Sequence, residues 1–168
     1  MGVVLVTVAM LFSAFVAALL VRRTGADWTG IELPPLVWAN TGILLVSSAA
    51  VEFARRAVRR GSTETAVRWL GVAATLGLLF LAGQLAAWHE LTAQGLALAS
   101  GPHAAFFYLL SGTHGAHVLA GVVALFWARA RAARGAYRSQ ASGLTHAAIF
   151  WHFVGGVWLL LLAVLTTL

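Results

Sequence analysis

Phe106-Phe107-Tyr108-Leu109-Leu110-Ser111-Gly112-Thr113-His114-Gly115-Ala116-His117-Val118-Leu119-Ala120-Gly121 sets two histidines and three glycines inside a hydrophobic run long enough to cross a bilayer. Polar side chains at bilayer depth cost free energy unless a partner satisfies them. They therefore face other protein and carry a functional or assembly role. The stretch predicts a membrane helix that works against neighbouring helices.

Outward from it, five apolar runs stand out, at about 3–21, 36–54, 67–89, 104–128 and 144–167. Roughly 20 such residues, at 1.5 Å rise each, cross a ~30 Å hydrocarbon core, and each run meets or nearly meets that length. Of 168 residues, 61% are hydrophobic and only 10% charged, far below the roughly 25% charged of soluble domains. The expected fold is an all-α membrane protein, one domain over 1–168, built as a bundle of five transmembrane helices. The first run lacks a basic leader and an Ala-x-Ala cleavage pattern, and Arg22-Arg23 follow it. It is read as a retained span and not a signal peptide.

The basic residues are all arginines, and they gather between the runs. Arg55, Arg56, Arg59, Arg60 and Arg68 crowd the second link; Arg129, Arg131, Arg134 and Arg138 crowd the fourth. The third link, from about Glu90 to His103, has none, and in the first Arg22 and Arg23 are offset by Asp27 and Glu32. Cytoplasmic loops carry the arginine excess, so the amino terminus is expected inside and the carboxyl terminus outside. Topology thus accounts for the net charge of +6, and no nucleic-acid partner is expected. The chain has no cysteine, which excludes disulfides and thiolate metal sites.

Pro34-Pro35 and Gly101-Pro102 suit the starts of spans two and four. Ser62 or Thr63 is a candidate cap for span three, and Ser139 to Gly143 reads as a small polar linker. The acids, Asp27, Glu32, Glu52, Glu64 and Glu90, all lie in links or near helix ends, so no intramembrane carboxylate relay is expected. Glu52 precedes Arg55 and Arg56 by three and four residues, the spacing of a surface ion pair. Glu90 beside His89 reads as a solvated helix end, and Gln84 as a hydrogen-bonding residue between helices.

The histidines leave two readings open. His114 and His117 share a helix face, and His146 and His152 lie early in span five, so imidazoles from two spans could hold haem or a metal. Alternatively they hydrogen-bond across a helix interface, with Gly112, Gly115, Ala116, Ala120 and Gly121 keeping one face small for close packing. His103 is expected near the outer surface with no special role. Trp28, Trp38, Trp88 and Trp127 are expected as headgroup anchors. Trp151 and Trp158, seven apart, form a packing or lipid-facing stripe.

These segments resemble subunit III of haem-copper terminal oxidases. Phe106 to Gly121 is similar to that family's Phe-Phe…Thr-Gly-x-His-Gly-x-His-Val…Gly segment. Phe150-Trp151-His152-Phe153-Val154-Gly155-Gly156-Val157-Trp158 resembles its Trp-His-Phe-Val-Asp-x-Val-Trp signature. Leu33-Pro34-Pro35 through Asn40-Thr41, with Ser47-Ser48 and Glu52, resembles its Leu-Pro…Asn-Thr…Leu-Ser-Ser segment. Gln84 with Glu90, and Met10-Leu11-Phe12, match its next and first helices in order.

The resemblance implies a five-helix form of subunit III, equivalent to the last five helices of a seven-helix version, in a bacterial cytoplasmic membrane. It implies no redox centre, cofactor, metal or catalytic residue in this chain, with haem and copper in partner subunits. It further implies packing on subunit I, with subunit II and others in the complex, bound phospholipid, and support for proton-coupled reduction of oxygen to water. Asn40, Glu52, Gln84, Glu90, Gly112, His114, Gly115, His117, Gly121, Trp151, His152 and Trp158 would then be packing and interface residues. Val8 and Gly155 stand where the family usually carries a glutamate and an aspartate, so no carboxylate role is assigned to them. The alternatives are an accessory subunit of a nitric oxide reductase, or a haem-bearing dehydrogenase anchor using His114 or His117 with His152.

Overall fold

The computed structural model describes residues 1–28, 33–137 and 142–167. Within them the chain is all-helical: α1 Gly2–Arg22, α2 Pro35–Arg59, α3 Thr63–Ala93, α4 Pro102–Ala133 and α5 Ser142–Thr167. Each is long and apolar enough to cross a membrane. Glu32, Arg138 and the part of the expected linker at 139–141 lie outside the described residues.

Local chemistry sets the helix ends. Pro35 and Pro102 occupy first-turn positions of α2 and α4, where the missing N–H is no loss. Gly61 closes the link from α2 to α3 at φ +75°, a left-handed conformation that costs glycine no steric penalty. Ser62 sits at the N-cap of α3 without a side-chain capping bond, its hydroxyl donating instead to Thr65 Oγ1 at 2.8 Å. Helices α3 and α4, of 31 and 32 residues, run well past their apolar middles. A helix satisfies its own backbone hydrogen bonds along its length, so it can run on beyond the apolar stretch that the hydrocarbon core demands.

α2, α3, α4 and α5 pack in a closed ring, each against the next and α5 back against α2, whereas α1 lies outside on α4 and α5. One apolar cluster fills the ring with Leu44, Val51, Leu70, Phe80, Leu125 and Trp151 among its members. A second joins Val8, Phe12 and Leu19 of α1 to Leu91, Phe107, Leu110 and Leu161. On α1 the covered positions are 5, 8, 9, 12, 15, 16, 19 and 22, a stripe at the spacing of a helix seam.

Candidate functional site

All five helices meet in one layer around His114. The ring is 1% exposed and Trp158 of α5 stacks on it, centroids 5.0 Å apart and planes 28° apart. Phe80 of α3 approaches edge-on at 5.9 Å and Phe12 of α1 at 6.3 Å. Phe80 also stands edge-on to Trp158 at 5.2 Å. α2 joins through Thr41, whose Oγ1 accepts from Trp158 Nε1 at 2.9 Å while its own proton goes to the Val37 carbonyl. Asn40, beside it, donates Nδ2 to the Phe80 carbonyl at 2.9 Å. Edge-to-face and offset ring contacts are each worth about 1 kcal/mol, and several converge here.

A second layer lies deeper in the ring, around Trp151. A Cβ built on Gly77 would stand 2.6 Å from Trp151 Cη2, and one on Gly121 2.8 Å from Trp151 Cε3. The six-membered ring of the indole thus reaches both glycine backbones, its Cζ2–Cη2 edge at Gly77 of α3 and its Cε3–Cζ3 edge at Gly121 of α4, and a larger residue at either position would displace it. Ser47 donates to the Ala73 carbonyl at 2.8 Å, joining α2 to α3 at a similar depth.

The remaining histidines go elsewhere. His117 Nδ1 donates to the Thr113 carbonyl at 2.8 Å and its ring meets Phe12 at 5.5 Å. His152 shares a hydrogen bond with Ser48 Oγ at 2.8 Å through Nδ1. His146 is exposed. Among the described residues, no three His, Asp or Glu side chains come together as a metal site would need. His114 and Gln84 keep their side-chain polar atoms buried without a hydrogen-bond partner among those residues.

Two charged features flank these layers. Glu52 gathers Arg55 at 2.9 Å, Arg59 at 3.3 Å and Arg56 at 3.7 Å, one more partner than the i+3 and i+4 spacing suggested. At the opposite end, Arg22 pairs with Asp27, and that guanidinium holds the Asp27 carboxyl below its ordinary range. Arg22 rims an open cleft of about 870 Å³ between α1 and the start of α4, walled by Ala17, Ala18, Val21, Leu98 and Phe106.

The profile of the family described as cytochrome c oxidase subunit III matches residues 2–167. Subunit 3 of the cytochrome bo(3) ubiquinol oxidase of Pseudomonas aeruginosa is 33% identical, over 92% of this chain and 77% of the relative. The cytochrome c oxidase subunit 3 of Thermostichus vulcanus is 32% identical, over 97% and 83%. The chain belongs to the oxidase subunit III family. A probable quinol oxidase subunit 3 from Staphylococcus saprophyticus, 31% identical over 89% of this chain, adds a further member. Membership makes this a multi-pass membrane subunit of a terminal oxidase complex, associated with other oxidase subunits.

The segments resembling subunit III lie at these layers. Asn40, His114 and Trp158 meet in the first, and Gly121 with Trp151 in the second; Gln84 is buried one turn beyond Phe80. Glu90 lies half-buried in the last turn of α3 without an ion pair among the described residues. Gly112 is tight, its Cβ position 3.3 Å from Trp88 Cη2, but Gly115 has only Leu81 at 3.8 Å, and Ala116 and Ala120 are exposed. The expected single small face is therefore two separate contacts, with the alanines turned outward.

Val8 is buried in the α1 cluster, and a Cβ at Gly155 would meet only Ser48 Oγ, at 3.9 Å. Two of the expected headgroup anchors also make contacts within the bundle. Trp28 stacks on His103 at 4.8 Å, and His103 is itself buried. Trp88 likewise turns inward and donates to Ser111 Oγ at 3.0 Å. Phe12, Thr41, Gly77 and Phe80 are contact residues beyond those expected from the sequence. Only Thr41, a hydroxyl within an apolar run, carried a visible signal.

Proposed function

We propose that the chain is the redox-silent subunit III of an aerobic respiratory haem-copper oxidase of a bacterial cytoplasmic membrane. In this reading it packs on subunit I, holds phospholipid acyl chains in the α1–α4 cleft, and supports proton-coupled reduction of oxygen to water. Haem and copper belong to the partner subunits. The arginine-rich ends of α2, α3 and α4 support an inside amino terminus.

One observation carries the reading. The ring of His114, the most deeply buried imidazole, is spent on an aromatic layer that joins all five helices. Both its nitrogens are covered, and a macrocycle ligated there would need the space that Phe12, Phe80 and Trp158 fill. His152, the other half of a bis-histidine site, bonds to Ser48 on α2 instead. Asn40, Glu52, Gln84, Glu90, Gly112, Gly115, His117 and Gly121 fit the same scaffold role in this reading.

The test is purification through a tag on this chain. An oxygen-reducing partner carrying haem and copper should co-purify, and His114→Ala should leave haem per complex unchanged while activity decays faster during sustained turnover. Recovery without such a partner, or stoichiometric haem on this chain alone, overturns the proposal.

A further inference from the structure

The turn between α2 and α3 holds a feature that neither the interior layers nor the α1–α4 cleft absorbs. A crevice of about 350 Å³ lies there, lined by Phe53, Arg56, Arg60, Ser62, Thr65 and Trp69. Arg56 and Arg60 are four residues apart at the end of α2, so their guanidinium groups lie on one side of it. Phe53 and Trp69, one from each helix, form an aromatic wall with ring centroids 4.9 Å apart.

The charge here is unbalanced. Glu52 serves Arg55, Arg56 and Arg59 together, and Arg56 is the most distant of the three. Arg60 has no ion pair among the described residues, and Glu64, the nearby acid of α3, is taken by Arg68. Ser62 Oγ donates to Thr65 Oγ1, which leaves the Thr65 proton for an acceptor in the crevice. The first N–H groups of α3 open on the same turn without a side-chain cap, adding a partial positive charge.

We infer that this crevice binds a phosphate group, carried by the headgroup of an anionic phospholipid. Two guanidinium groups and a hydroxyl meet the phosphate oxygens. The aromatic wall beside them accepts the first methylenes of the acyl chains, as amphipathic Trp rings do among headgroups. A free phosphate offers the same oxygens but makes no use of Phe53 and Trp69, which favours the lipid. The site lies at the opposite end of the bundle from the α1–α4 cleft and does not rest on the reading of that cleft.

The experiment uses the intact complex, delipidated in detergent, with bound lipid counted by native mass spectrometry. Phosphatidylglycerol, phosphatidylcholine and inorganic phosphate are added separately and in competition. Phosphatidylglycerol should bind preferentially, and Arg56→Gln with Arg60→Gln should weaken it about 25-fold, at roughly five-fold per arginine. Arg134→Gln removes a charge from the same end outside the crevice and should leave binding near the parent value. Equal binding of the two lipids, an unchanged double variant, or an equal loss in Arg134→Gln overturns the proposal. Displacement of the lipid by inorganic phosphate at equal potency overturns the lipid assignment in favour of a free anion. Co-purification of the oxidase is scored on the same samples, so failure of this site and failure of the subunit III reading are distinguishable.

Discussion

Helix α1 is the most apolar span, with mean hydropathy 2.7 against 1.5 to 2.2 in the others, yet 17% of its apolar window is buried against 39% in each of α2 to α5. In water the order would be reversed. In lipid the tails solvate apolar side chains as well as protein does, so helices associate through close packing and polar contacts. The ring helices supply both. Asn40, Thr41, Ser47 and Ser48 of α2 bond across to α3 and α5, and Gly77 and Gly121 admit Trp151. On α1, Thr7 bonds only to its own helix at the Val3 carbonyl, and attachment falls to a seam centred on Phe12.

The contrast can be broken most severely at Gly121. Its replacement by leucine drives a side chain into Trp151 and should cost about 3 kcal/mol, read as a lower Tm of the purified complex and loss of the subunit on purification. Gly115→Ala, with room beside Leu81, should change Tm little. Equal effects at the two positions would refute the assignment of the tight contact to the Trp151 layer.

Trp158→Phe keeps a stacked ring on His114 but deletes the donor to Thr41. It should cost about 1.5 kcal/mol, and Thr41→Val should add little on top of it. Additive losses would mean that the two side chains do not act as a pair. Phe12→Ala removes edge contacts to Phe15, His114 and His117 at about 1 kcal/mol each. It should loosen α1 alone, so cross-linking of α1 to α4 falls while cross-linking of α2 to α3 holds. A parallel fall in both would erase the distinction between ring and flank.

The smallest effect is expected at Asp27. Its folded carboxyl is lowered by Arg22, so the pair's contribution is present above the unfolded pKa and is lost as pH falls through the lowered folded value. Because the pair is exposed, solvent screens it. Asp27→Asn should leave Tm unchanged at neutral pH and remove only a part of the decline on acidification. A clear Tm drop at neutral pH would show that the α1 end is pinned by charge as well as by packing.

Much of this was legible in residues one at a time. Length and hydropathy mark the spans because a bilayer demands about 20 apolar residues wherever a helix crosses it. Glu52 with Arg55 and Arg56 was readable because i+3 and i+4 neighbours meet on any helix. The third partner, Arg59, was not, since a reach of seven residues depends on side-chain conformation. The small residues of α4 show the limit more sharply. Gly112 and Ala116 are equally small, but one lies under Trp88 and the other is exposed. Which side of a uniformly apolar helix faces protein leaves no periodic trace in its sequence.

By itself, then, the sequence determined that this is a bundle of membrane spans, where its arginines gather, and which family its motifs belong to. Each of these follows from local composition or spacing against a solvent of known thickness. Only the tertiary structure decided that His114, Phe12, Thr41, Phe80 and Trp158 form one layer, that Trp151 lies between two glycines, and that α1 stands outside the ring. Those outcomes depend on the rotation of each helix about its own axis, which is set by a few polar and close-packed contacts between distant residues.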